Sequence, residues 1–368
     1  MKNIFVQEAI RIGDQLIDTA DRNENGLFWL TAKFKTDSEV TWKQSENIYS
    51  GVSGIVLFLI ALYKQTLDKK YLSVSEDAMK WVDWYCKQNS TDNYALFTGR
   101  MGVSFTFLKL YEATNNKSYL EKALAVAQPS LAFLESSSSM NDYLNGFSGA
   151  LLGLLHLHAA TKESWILDHI KQYTQKLLKN ARFGNVGLYW DTSLNEIHPL
   201  CGFPHGPSGI GFVFLELGHY FQDSAYYHIA EQAFAYENDY FNPETNNWPD
   251  FRLFFYNQEA INEYKQAYLK KNLQVFTHPS YVNQWCQGAA GIGLSRLHAF
   301  ELLKKETYRK DIKNALTKPY EAYYPPFTLC HGKGGSADFL LESYLMFHKK
   351  KYLEYAQKTA EDALEQKK

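Results

Sequence analysis

The stretch GVSGIVLFLIALY, residues 51–63, joins a Gly-x-x-Gly motif to a run of apolar side chains. Nearly every position of the run is apolar, which is typical of a helix that is buried on all sides. The motif recurs along the chain, and a mostly apolar run follows each copy. The first glycines of the six copies are Gly51, Gly99, Gly146, Gly206, Gly288 and Gly332.

A tyrosine stands twenty residues after the first glycine in every copy but the third, which has Ile166 there. The segments that begin at these positions carry apolar residues at spacings of three and four, the pattern of a helix with one buried face. The sequence therefore predicts that fully buried helices alternate with half-exposed ones. The recurring tyrosines are Tyr71, Tyr119, Tyr226, Tyr308 and Tyr352.

Self-similarity at intervals of this size indicates repeated supersecondary units, and each unit here is an αα-hairpin. We find no run of alternating strand residues. The sequence predicts an all-α fold, an α/α toroid, in which six clear hairpins and a seventh form a double ring of inner and outer helices. An open solenoid of the same hairpins is the alternative, but it needs polar capping repeats that we do not find. Residues at about 238–280 are either the seventh, degenerate hairpin or an insertion.

Composition narrows the classes of partner. The 368 residues carry a formal net charge of −2 and give a pI near 6.6, so no basic surface for nucleic acid or anionic lipid is expected. The amino terminus lacks the apolar core of a signal peptide, and no apolar run is long enough for membrane insertion. We expect a cytoplasmic protein. The charged faces of the outer helices predict a monomer.

Five side chains with metal-binding or acid/base chemistry lie in register with the repeat. Cys286 and Cys330 each stand two residues before a motif glycine, His331 and His205 stand one residue before, and Asp142 stands four before. In a toroid every inner helix begins at the same end. The repeat therefore predicts that all five side chains meet at one rim.

Two cysteines and one histidine form a common zinc set, and three protein ligands leave a fourth position for water or substrate. The sequence therefore predicts a catalytic zinc held by Cys286, Cys330 and His331. With Cys201 as a fourth ligand the site would be structural. The further alternative is a pair of core cysteines beside a capping histidine. Cys86 is interpreted as a thiol without a role.

Four segments together resemble the motifs of the LanC-like family, the lanthionine synthetase cyclases. They are NDYLNGFSG (141–149), PHGPSGIG (204–211), QWCQGAAGIG (284–293) and LCHGKGGSADFLLE (329–342). The resemblance extends over essentially the whole chain, so residues 1–368 are interpreted as a single LanC-like domain. It implies a seven-hairpin α/α toroid and zinc on the three predicted ligands.

The resemblance also implies a reaction, in which a peptide cysteine adds to dehydroalanine or dehydrobutyrine and closes a thioether ring. His205 and Asp142 match the family's acid/base positions, and Asp142 as a helix N-cap is the alternative interpretation. The implied partners are a dehydrated precursor peptide and a dehydratase. Two positions depart from some bacterial members: Val282 replaces an arginine, and Gln287 replaces a tyrosine or histidine.

Three other functions stay open on the sequence alone. A LanC-like enzyme could add glutathione or another small thiol to dehydroamino acids. An α/α-toroid glycosidase or lyase would use the 16% aromatic residues to stack sugars, but it needs two carboxylates at the cleft. A scaffold without catalytic activity could retain zinc for stability.

Overall fold

A computed structural model describes residues 4–34, 40–136, 139–191, 200–252, 281–317 and 327–366, and also residues 259, 261–263, 266 and 270. The described chain is mainly helical. Six αα-hairpins repeat the same design, with a first helix of 15 residues and then a second helix. The first helices are α2 (Val52–Thr66), α4 (Arg100–Thr114), α6 (Phe147–Thr161), α8 (Pro207–Phe221), α10 (Ala289–Leu303) and α12 (Lys333–Phe347). The second helices are α3 (Lys69–Gln88), α5 (Lys117–Ala127), α7 (Ser164–Asn180), α9 (Ser224–Asp239), α11 (Glu306–Ala315) and α13 (Lys350–Glu365).

Every first helix begins immediately after a predicted motif glycine, which occupies the N-cap position. Each of these helices ends on a residue in the left-handed conformation, with φ between 53° and 60°. Its backbone N–H closes the last turn. The second helix then starts two residues later, so one turn geometry serves all six hairpins. The left-handed residues are Leu67, Asn115, Lys162, Gln222, Lys304 and His348.

Burial follows the predicted alternation. Helix α6 buries eleven residues around its whole circumference. The second helices bury one face, and the repeated position near their start belongs to it: Tyr71, Tyr308 and Tyr352 are buried. Ile166, the one departure from tyrosine, is also buried, so an aliphatic side chain fills the same place in the third hairpin.

The helical chain separates into two compact units. Unit 1 comprises Met1–Ser139 and Leu144–Lys176, and it contains α1 (Ile4–Asp18), the first three first helices and a 3₁₀ helix at Gln128–Glu135. Unit 2 comprises Met140–Tyr143 and Leu177–Lys368, and it contains α8 to α13. The segment that carries Asp142 thus belongs to unit 2, although most of its sequence neighbours belong to unit 1.

Short antiparallel hairpins, which the sequence analysis did not identify, supplement the helices of the all-α fold. The pairs are β1 (Asp21–Asn23) with β2 (Gly26–Phe28), β3 (Leu30–Phe34) with β4 (Val40–Gln44), and β5 (Arg182–Phe183) with β6 (Leu188–Tyr189). These strands have two to five residues. Such segments are too short to produce a recognisable alternation of apolar and polar residues.

The question of a seventh hairpin at 238–280 lies mostly outside the described residues. Helix α9 ends at Asp239, and a turn with paired Asn242 and Asn247 follows it. The extent of the domain therefore stays a prediction. Within the described part of the chain, no helix combines the length and the apolar character that a membrane crossing requires.

The core of unit 2 holds the starts of α10 and α12 in place. Trp248 and Phe251 pack with Ala289, Ile292 and Phe339 in one hydrophobic cluster. Gly288 precedes α10 with φ of 90°, and a Cβ atom there would lie 1.8 Å from the carbonyl oxygen of Val282. Only glycine fits this position, which fixes the path of the chain between Cys286 and the helix.

Candidate active site

The three predicted metal ligands converge. The ligand atoms of Cys286, Cys330 and His331 all lie within 4.8 Å of one another. The backbone N–H of Cys286 donates to the carbonyl oxygen of Cys330 at 3.3 Å, which joins the segments that precede α10 and α12. Cys286 is buried, Cys330 is half-buried and His331 is exposed. The group is therefore enclosed on one side and accessible on the other.

The electrostatic interactions of Cys286 show that this group lacks, on its own, a compensating positive charge. The hydrogen bond with Cys330, burial and the charge of Cys330 raise the pKa of the Cys286 thiol far above its ordinary value, against the opposing charges of Arg252 and His331. Two adjacent thiols cannot both become thiolates unless a cation compensates them. The arrangement therefore favours binding of a soft cation.

The residues present fit a zinc ion. Ligand atoms of tetrahedral zinc with sulfur and nitrogen donors lie roughly 3.5–3.8 Å apart, so a group that spans at most 4.8 Å needs only a small contraction. Cys201 is not among the converging residues. It is buried in the hydrophobic cluster of unit 2 beside Leu200 and Trp248, and burial raises the pKa of its thiol well above the ordinary value.

His205 and Asp142 form a second group in the same unit. The Nδ1 atom of His205 lies 2.8 Å from Oδ2 of Asp142, and the exposed fractions of the two side chains are 23% and 1%. The backbone N–H of Tyr143 donates to the carbonyl oxygen of Pro204 at 2.9 Å, so the two segments also pair through their backbones. Helix α6 has Gly146 as its N-cap, so Asp142 does not cap it.

The pKa of the His205 ring is raised above its ordinary value. Burial lowers this pKa, but the hydrogen bond to Asp142, the charge of Asp142 and the charge of Cys286 outweigh it. The ring therefore carries a proton to a higher pH than a free histidine. The effect of Cys286 also shows that His205 lies within electrostatic reach of the cysteine group.

A buried ion pair holds the loop that carries His205. Oε1 of Glu237 accepts from the backbone N–H groups of Gly202 and Ser208, at 2.9 and 3.1 Å. Glu237 pairs in turn with Arg296 at 2.9 Å, and neither side chain is exposed to solvent. One carboxylate thus fixes both ends of the loop 202–208, because each end donates to the same oxygen.

An aromatic cluster joins the segments that carry Asp142, His205 and Cys286. The Phe203 ring contacts those of Tyr143, Phe212 and Trp285 at centroid distances of 5.1, 5.6 and 5.5 Å. Tyr143 follows Asp142 in sequence, Phe203 lies two residues before His205, and Trp285 precedes Cys286. Asp142, His205 and Cys286 therefore each have a near neighbour in sequence that packs in the same cluster.

Sequence reasoning missed Arg252. Its guanidinium hydrogen-bonds the side chains of Asp250 and Cys286, and its charge also affects His205. Arg252 lies in an irregular segment with no repeat register. The one available signal was the mostly apolar segment WPDFR (residues 248–252). In this segment the carboxylate of Asp250 stands two residues before the cation of Arg252.

The two departures from the family pattern are buried. Val282 packs in the interior, and its carbonyl oxygen accepts from Asn247 at 3.0 Å. The carboxamide of Gln287 is fully buried, and neither of its polar atoms has a hydrogen-bond partner among the described residues. A buried amide without partners is costly, which suits a position that a water molecule or a ligand satisfies.

Taken together, unit 2 combines a cysteine–histidine group that could hold a cation with the His205 imidazole, whose pKa is raised. The first group can lower the pKa of a thiol at a bound metal, and the second can donate a proton. The arrangement is suited to the addition of a sulfur nucleophile to an activated double bond.

Comparison with known proteins gives consistent results. A curated relative, the lacticin 481/lactococcin biosynthesis protein LcnDR2 of Lactococcus lactis subsp. lactis, is 22% identical over 353 residues. The match covers 89% of this chain and 32% of the relative, so the chain spans about a third of that relative's length.

Among solved structures, nisin cyclase matches with a TM-score of 0.70 and 17% identity, over 99% of this chain and 88% of that one. This similarity confirms the predicted α/α-toroid fold class. A variant of an alpha-1,6-mannanase of Salegentibacter sp. HEL1_6 matches with a TM-score of 0.50 and 10% identity, over 92% and 98% of the two chains. At this identity the likeness concerns the fold alone.

The sequence model of one family, described as "Lanthionine synthetase C-like protein", matches residues 43–368 and so includes every predicted site residue. The chain belongs to the family of lanthionine synthetase C-like proteins.

Proposed function

We propose that this protein is a zinc-dependent lanthipeptide cyclase, which adds peptide cysteine thiols to dehydroalanine or dehydrobutyrine and forms thioether rings. The observation that carries the proposal is the convergence of Cys286, Cys330 and His331 in the unit that also holds the His205–Asp142 pair. Family membership and the similarity to nisin cyclase support it.

Cys286, Cys330 and His331 would hold the metal. When bound, zinc would lower the pKa of a thiol at its open position from about 8.5, which supplies a nucleophile at neutral pH. The exposure of His331 and the burial of Cys286 favour an approach of the peptide from the side of the histidine.

His205 supplies the proton that completes the addition. Attack of sulfur on the β-carbon leaves an enolate, and the α-carbon must then receive a proton. The raised pKa of His205 favours the protonated form of its ring, so the ring is a suitable acid. Asp142 orients the ring through Nδ1, which leaves the opposite nitrogen, Nε2, to donate.

A short peptide with one dehydroalanine and one downstream cysteine tests the proposal. We expect the zinc-loaded protein to convert the peptide to a ring that thiol alkylation no longer labels, as followed by mass spectrometry. Cys330→Ala should lose metal and activity together. Cys86→Ala, which removes a thiol in unit 1, is the matched control and should keep both.

The same assay separates the alternatives. Added glutathione should not compete with ring closure, because the nucleophile and the acceptor belong to one peptide. Faster formation of a glutathione adduct would favour the small-thiol enzyme instead. Full ring closure by a metal-free protein would contradict zinc dependence.

The remaining expectations are part of the same proposal. The substrate is a dehydrated precursor peptide, and a dehydratase is a further partner. The protein is a cytoplasmic monomer, and residues 1–368 form a single LanC-like domain. Light scattering at several protein concentrations would check the oligomeric state.

A further inference from the structure

Arg252 is held in a defined orientation beside the cysteine group. Its Nε atom lies 2.9 and 3.1 Å from the two carboxylate oxygens of Asp250, and one of its terminal nitrogens lies 2.6 Å from Oδ2. The backbone N–H of Arg252 also donates to Asp250, at 3.0 Å. The Asp250 side chain is 1% exposed. A buried bidentate pair of this kind fixes the plane of the guanidinium.

The same guanidinium interacts with both functional groups. It hydrogen-bonds the side chain of Cys286. The charge of Arg252 also lowers the pKa of His205, although burial, Asp142 and Cys286 have larger effects on this pKa. A permanent positive charge is thus present beside the Cys286 sulfur and within electrostatic reach of His205.

The position of this arginine in the sequence is unusual for the family pattern. Some members carry an arginine four residues before the zinc cysteine, where this chain has the buried Val282. Arg252 comes instead from the irregular segment after α9. A cation is therefore present beside Cys286 although the residue of the family motif is absent.

We propose that Arg252 is a catalytic residue, which donates hydrogen bonds to the carbonyl oxygen of the dehydroamino acid as negative charge develops there. The inference rests on the proposed cyclase function. A carbon–sulfur bond forms at the β-carbon, and the electron pair of the double bond moves through the α-carbon onto the carbonyl oxygen. The α-carbon then takes a proton from His205, and the proton lost by the thiol returns to His205 through solvent.

The chemistry of arginine suits this role and excludes the role of acid. A guanidinium stays protonated at all relevant pH values, so it stabilises an oxyanion but does not deliver the proton. Donors that are aimed in advance at a developing oxyanion typically contribute about 10²- to 10³-fold in kcat. Asp250 provides that preorganisation, since its carboxylate fixes the fork before any substrate arrives.

The double variant Asp250→Asn/Arg252→Met tests the inference without a buried unpaired charge. The asparagine retains an oxygen that can accept from the backbone N–H at position 252. The matched control is Glu306→Gln/Arg309→Met, which removes an exposed arginine–carboxylate pair of 3.2 Å from α11. Zinc content, melting temperature, kcat and KM are measured on both. Affinity for a dehydrated peptide with serine in place of cysteine gives a readout that needs no turnover.

We expect the test variant to keep its zinc and its affinity for the serine peptide, and to lose about 10²- to 10³-fold in kcat with little change in KM. The control should match the unaltered protein. A test variant with unaltered kcat would overturn the inference alone, and so would a loss confined to zinc content or to KM. Absence of ring closure by the unaltered protein would overturn the proposed function and this inference with it.

Discussion

The ion pair beneath the His205 loop gives a sharp prediction of stability. Arg296 interacts with two carboxylates, that of Glu237 at 2.9 Å and that of Asp311 at 3.4 Å, and it donates to the Ser208 hydroxyl at 3.0 Å. Arg296→Met would leave both acids without their shared cation. Because removal of one partner from a buried pair leaves an uncompensated charge, we expect a loss of about 3–5 kcal/mol in the free energy of unfolding.

Glu237→Gln should cost less, about 1–3 kcal/mol. The glutamine oxygen can still accept from the N–H groups of Gly202 and Ser208, and Asp311 still compensates Arg296. The double variant Glu237→Gln/Arg296→Met has no unpaired charge at position 237. This double variant should therefore be more stable than Arg296→Met alone. The two substitutions are therefore predicted to be strongly non-additive.

Calorimetric melting of all four proteins measures this cycle. For a unit of this size, about 1 kcal/mol corresponds to roughly 2–4 °C in Tm, so Arg296→Met should melt about 6–20 °C lower. A change below 2 °C for Arg296→Met would refute the argument from buried charge. A double variant whose loss equals the sum of the single losses would refute the coupling between the two side chains.

Three further predictions concern the candidate active site. Elemental analysis should find one zinc per unaltered chain and almost none in Cys330→Ala, and retention of stoichiometric metal by that variant would contradict the ligand assignment. His205→Asn should keep its zinc and its Tm and slow ring closure by about 10²- to 10⁴-fold, so cyclisation at the normal rate would assign the proton to another donor. In the unaltered protein Asp142 raises the pKa of His205 against the lowering effect of burial. Asp142→Asn removes that effect, so the pH above which kcat/KM falls should be lower in this variant. The unaltered protein should stay active to higher pH, since its ring keeps its proton there, and identical pH profiles for the two proteins would contradict the role of Asp142.

Much of the fold could be predicted because each residue type that recurs in the repeat has one structural role. A glycine at the N-cap followed by an apolar run fixed the start of each first helix, and the structure places all six there. The register then brought Cys286, Cys330 and His331 together correctly. Positions that repeat along a chain are equivalent in space, so spacing alone carried this information.

Other features had no repeated signal. Arg252 and its partner Asp250 lie in an irregular segment, where no periodicity relates sequence to position. The pair between Glu237 and Arg296 joins residues of two helices that stand 59 positions apart in the sequence, and each residue alone resembles an ordinary surface charge. The strands β3 and β4 are too short for a pattern to emerge. Contacts of this type are determined by tertiary packing.

The six left-handed residues that end the first helices have a practical consequence. Glycine tolerates this conformation and asparagine nearly does, yet only Asn115 is of either type, and Leu67 is an exposed, branched side chain. Each of the other positions holds a conformation that costs an ordinary residue about 1 kcal/mol. The protein can therefore be stabilised against heat at its tightest turns. Substitution of Leu67 by glycine or asparagine would remove this conformational cost without altering a residue of the active site.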